Sequence, residues 1–64
     1  MAQTPEAAFK QAMRMVRREV DLREAGRRLE LTGQQTEADW LFRFASLVRE
    51  ERLSLLVRAG VLEP

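Results

Sequence analysis

Leu31-Thr32-Gly33-Gln34-Gln35-Thr36 lies at the middle of the 64-residue chain and holds the turn-forming residues between two long helix-forming segments. Gly33 tolerates the left-handed backbone that closes an α-helix, and Thr36, followed by Glu37, can cap a new helix and put an acid in its first turn. Upstream, Thr4 can cap a helix whose first position is Pro5, and Glu6 favours the positive end of the helix dipole. Between Pro5 and Leu31 there is no proline, and Ala7, Ala8, Lys10, Gln11, Ala12, Met13, Arg14 and Met15 are good helix formers. Only Gly26 interrupts, at about 1 kcal/mol relative to alanine, and a kink there would separate residues 27–31 as a turn of their own. Downstream, Gly60 marks a second helix end, with Arg58 complementing the dipole and Val61 or Leu62 able to make the apolar contact of a C-cap. The expectation is one all-α domain over residues 1–64: helix 1 at 5–31, a turn at 32–36 and helix 2 at 37–59. At roughly 1.5 Å per residue the helices are about 40 and 35 Å long, matched for an antiparallel hairpin.

Composition narrows the chemistry. The chain has no cysteine, histidine or tyrosine, so a disulfide and the usual zinc, haem and iron–sulfur ligand sets are missing. Ser46 and Ser54 have no histidine to activate them, and Lys10, the one candidate Schiff-base amine, sits one residue from the apolar face with no activating group beside it. The carboxylate pairs Asp21/Glu24 and Glu50/Glu51 stand among arginines, where helix-surface ion pairs such as Glu24 with Arg28 account for them. Gly26, Gly33 and Gly60 are too scattered to form a phosphate-binding loop. A non-enzyme is expected, without cofactor, metal or small-molecule substrate. No apolar run approaches the roughly 18 residues of a membrane span, and residues 1–6 lack the basic start and apolar stretch of a signal peptide, so a cytoplasmic location is expected. Ten of the eleven basic residues are arginine, which reads as the codon usage of a GC-rich genome and fits a small bacterial or phage protein.

Apolar residues occur on more faces than one partner helix can cover. On helix 2, Leu41, Phe44, Ala45, Val48, Leu55, Leu56 and Ala59 share a stripe expected to pack on helix 1. Phe42, Leu53 and Val57 point about 100–160° away from it, and Trp40 and Leu47 flank its other side. On helix 1, Phe9, Ala12, Met13, Val16 and Val20 form one face, while Ala8, Met15, Leu22 and Leu29, joined by Ala25, follow a second track at heptad spacing. Exposed apolar patches on small proteins mark oligomer or partner surfaces, and the simplest expectation is a two-fold homodimer making a four-helix bundle. Aromatic and arginine anchors dominate interfaces, so Trp40, Phe42, Arg43, Leu47, Arg49, Leu53 and Val57, with Met15, Leu22 and Leu29, are the expected protein contacts. Arg52 falls within the core stripe: either its stem packs while the guanidinium reaches solvent or a carboxylate such as Glu19 or Glu24, or it is a buried charge that fixes register.

Net charge is +1, from 11 basic and 10 acidic residues, so no global field points to nucleic acid. Lys10, Arg14, Arg17 and Arg18 nevertheless cluster N-terminal of most of the acids, and doubling them across a dimer would make a ridge able to meet phosphates. Two long helices, a central turn, Leu29-Glu30-Leu31 before it, Glu37-Ala38-Asp39 after it and Arg58-Ala59-Gly60 at the end resemble the Rop-type plasmid copy-number regulators. That resemblance implies a dimeric four-helix bundle that binds paired RNA loops through helix 1. Val48-Arg49-Glu50 with Leu62-Glu63-Pro64 is similar to the small phycobilisome-degradation adaptors, which implies a dimeric hairpin; no functional residue is carried over from either family. The reading that follows is a non-catalytic homodimeric adaptor, regulator or accessory subunit that binds a larger protein through a second apolar face. The alternative is a Rop-like RNA- or DNA-binding regulator using Lys10, Arg14, Arg17 and Arg18.

Overall fold

A computed structural model describes residues 3–64. The reading of residues 1–6 as free of a targeting signal falls partly on Met1 and Ala2, which lie outside the described residues. The described chain is all-helical, with α1 at Pro5–Leu31 and α2 at Gln35–Arg58 folded back as a hairpin of 43 × 21 × 18 Å.

Helix ends follow from local chemistry. Thr4 is extended at φ −68°, ψ 154°, and its Oγ1 accepts from the Ala7 N–H at 3.1 Å, with Pro5 at the first helical position. At the other end Gly33 takes φ +81°; the Gln34 N–H donates to Leu29 O at 2.8 Å and the Gly33 N–H to Glu30 O at 3.1 Å. This is a Schellman cap, and it repeats at Gly60 (φ +75°), where the Val61 N–H donates to Leu56 O and the Gly60 N–H to Val57 O, each at 3.0 Å. Thr36, expected to cap helix 2, does not. Gln34 is the N-cap, its carbonyl accepting from Ala38 N–H at 3.0 Å, and its own side chain donates to Thr32 Oγ1 at 3.2 Å. One residue thus closes α1 and opens α2, so the turn is shorter than 32–36 and Thr36 already lies in the first turn of α2. Gly26 does not break α1.

The seam between the helices differs from the expected one. On α1 it runs through Ala8, Ala12, Met15, Glu19, Leu22, Gly26 and Leu29, and on α2 through Ala38, Leu41, Ala45, Val48, Arg52, Leu55 and Ala59, all buried or half-buried. Steps of four and three residues alternate along both, the spacing of a coiled-coil contact. The fully buried hydrophobic residues are Ala8, Ala12, Ala38, Ala45 and Leu55. The physical reason is that two helices with no third layer hide only what lies on their contact line, where alanine and glycine let the backbones approach. Phe9, Met13, Val16 and Val20 of the first apolar face of helix 1 are exposed, and so is Phe44, which the expected α2 stripe had placed in the core.

Candidate functional site

Two features stand out from this scaffold: a charged cluster in the seam and an aromatic ridge on α2. Glu19 and Arg52 occupy seam positions on opposite helices, and Arg52 Nη2 lies 3.1 Å from Glu19 Oε1. The Glu19 carboxylate also receives a hydrogen bond from Arg23 Nε to Oε2 at 3.0 Å. Glu19 is 13% and Arg52 20% exposed at the side chain. The Arg52 contact is an ion pair off the hydrogen-bond line, because neither Glu19 Oε1 nor Arg52 Nε has a hydrogen-bond partner. Arg52 therefore joins Glu19 as a largely buried charge between the helices. A cross-helix pair of this kind penalises any sliding of one helix along the other, since a shifted register leaves a buried charge alone.

The ridge is built by spacing within α2. Trp40, Arg43, Phe44 and Leu47 stand at i, i+3, i+4 and i+7 and so share one stripe of the helix. Trp40 is 55%, Phe44 52% and Leu47 59% exposed. The Trp40 and Phe44 rings are 6.3 Å apart between centroids and tilted by 33°, and the Arg43 guanidinium carbon lies 5.6 Å from the Trp40 ring centroid. Such contacts, each worth about 0.5–1 kcal/mol, preorganise the side chains and leave their outer surfaces wet. Shallow recesses beside the ridge are lined by Thr36, Asp39, Phe42, Arg43, Ser46 and Leu47. Asp39 is held by Gln35 Nε2, which donates to Oδ1 at 2.8 Å.

The structure separates the expected protein contacts. Trp40, Arg43 and Leu47 come together on the ridge, and Phe44, which had been assigned to the core, belongs with them. Arg49 and Leu53 are exposed elsewhere on α2. Met15, Leu22 and Leu29 are corrected: they are half-buried in the hairpin's own seam, because the smaller track of α1 is the one that meets α2. Val57 is half-buried as well. Phe42 is corrected too. Its ring lies against Gly26, so closely that a Cβ there would sit 2.6 Å from Phe42 Cε1. The glycine in the middle of α1 is thus the seat of an α2 aromatic.

The four basic residues of helix 1 are not equivalent. Lys10 pairs with Glu6 at 3.2 Å and Arg17 with Asp21 at 3.1 Å, both on exposed i,i+4 spacings that contribute at most about 1 kcal/mol. Arg14 and Arg18 line a shallow recess with Gln11 and Met15. Among the described residues, no three His, Cys, Asp or Glu side chains group as metal ligands, and no helix is long and apolar enough to cross a membrane.

No protein-family model matches the chain, and no curated protein or solved structure does either.

Proposed function

We propose that this chain is a non-catalytic helical interaction protein, a homodimeric adaptor, regulator or accessory subunit that binds another protein through an exposed apolar helix face. The observation that carries the reading is the Trp40–Arg43–Phe44–Leu47 ridge, three large apolar side chains more than half exposed with an arginine stacked among them. Tryptophan and arginine are the residue types that most often dominate binding energy, and a ridge already ordered by its own contacts loses little entropy on docking. The wider set of exposed large apolar residues, Phe9, Met13, Val16 and Val20 among them, supports self-association into a four-helix bundle. The basic residues of helix 1 support phosphate binding less well, because Lys10 and Arg17 are engaged by carboxylates of their own helix.

The test is the solution mass of the purified chain by light scattering across a dilution series, at low and high salt, with the 260/280 nm absorbance ratio recorded. A dimer free of nucleic acid at both salts is the expected result. Nucleic acid that co-purifies and is released as salt rises would overturn the proposal in favour of a phosphate-binding regulator.

A further inference from the structure

We propose that a second copy of this chain covers the face formed by Phe9, Met13, Val16, Val20 and Leu53, and that the Trp40 ridge, on the opposite side of the hairpin, stays outside that interface. This assignment rests on the homodimer reading and says which surface makes the dimer. At about 100° per residue, Phe9, Met13, Val16 and Val20 lie roughly 120° around α1 from the seam, and Leu53 lies roughly 120° around α2 in the same rotational sense. The helices are antiparallel and face one another, so equal rotation in one sense brings both sets to the same broad face. Trp40, Phe44 and Leu47 lie about 90° from the seam in the other sense, which puts them on the other face. One hairpin thus carries two apolar surfaces that no single two-fold contact can cover together.

Exposed area and a thin core point together to a second copy. The chain exposes 5043 Å², whereas a compact monomer of 7.4 kDa exposes about 4200 Å² by the usual size scaling. The excess, about 800 Å², comes from the elongated hairpin and is of the size that one partner contributes to a standard specific interface. The core gives the same answer, because Leu55 is the one large side chain fully buried among the described residues, too little to order a chain of this length without a further layer. Only the Phe9–Val20 face engages both helices, as a four-helix bundle requires, and its aliphatic character matches the interior of an obligate dimer. The ridge is confined to α2 and is aromatic and arginine-rich, the composition of a surface that meets a different protein.

A dimer made through this face displays its two ridges on opposite sides, able to hold two partner molecules at once.

Because the chain lacks cysteine, single-cysteine variants read the interface directly. With a short bis-maleimide, Met13→Cys, Val16→Cys and Val20→Cys should include at least one that is captured as a covalent dimer, whereas Trp40→Cys and Leu47→Cys should not be. Val16→Ala with Val20→Ala should raise the dimer dissociation constant at least about 100-fold, since four partly buried valines are truncated per dimer. Trp40→Ser with Leu47→Ser should leave it within about threefold. Capture through Leu47→Cys and through none of the α1 variants would overturn the face assignment alone. A wild-type chain monomeric at every concentration would overturn the homodimer reading with it.

Discussion

Replacing Gly26 with alanine sets two effects of opposite sign against each other in one methyl group. In an exposed helix the change stabilises by about 1 kcal/mol, because glycine carries the larger conformational entropy in the unfolded chain. Here the new Cβ would stand 2.6 Å from Cε1 and 3.0 Å from Cδ1 and Cζ of Phe42, well inside van der Waals contact. The ring must shift, and overpacking of this kind costs about 1–3 kcal/mol. Gly26→Ala should therefore lower stability by about 0–2 kcal/mol, and for a domain of this size each kcal/mol moves the Tm by about 4–8 °C. In a Phe42→Ala background the obstacle is gone, and the same Gly26→Ala change should stabilise by about 1 kcal/mol. The sign reversal, a coupling of about 1–3 kcal/mol, is measured by urea and thermal unfolding of the four variants followed by circular dichroism. Protein concentration must be held constant, because the stability of any assembly that the chain forms depends on it. An equal gain in both backgrounds would contradict the Phe42 contact and return Gly26 to the status of an ordinary helix glycine.

Other perturbations test the remaining contacts. Arg52→Ala should cost about 1–3 kcal/mol in chemical unfolding, discounted from the fully buried case because both partners keep some solvent contact, whereas Glu19→Leu with Arg52→Leu should be neutral or stabilising. Gly33→Ala should lose about 1 kcal/mol from backbone strain at φ +81° alone, since nothing lies within 4 Å of the new methyl; a stabilised variant would contradict that geometry. Thr4→Ala should cost about 1 kcal/mol and Thr36→Ala no more than about 0.5, with equal losses counting against Gln34 as the start of α2.

Residue order settles whatever depends on neighbours along the chain. Thr4, Pro5 and Glu6 open α1, Gly33 closes it and Gly60 follows the end of α2, because caps and left-handed glycines act through hydrogen bonds to residues within one turn. Periodicity likewise showed that each helix carries two apolar tracks. Which track faces inward is a property of the pair. Of the face running from Phe9 to Val20 only Ala12 is buried, and it joins Ala8, Met15, Leu22 and Gly26 against α2. Close approach of two backbones rewards small side chains, and that reward exists only once the second helix is present. The same holds for Gly26, a blemish in α1 until the Phe42 ring is laid on it. It holds also for Arg52, whose choice between solvent, Glu19 and Glu24 was settled by the register of α1 against α2. Tertiary structure alone decided that Trp40, Phe44 and Leu47 form one ridge apart from the core, because exposure is what remains after packing has selected its face.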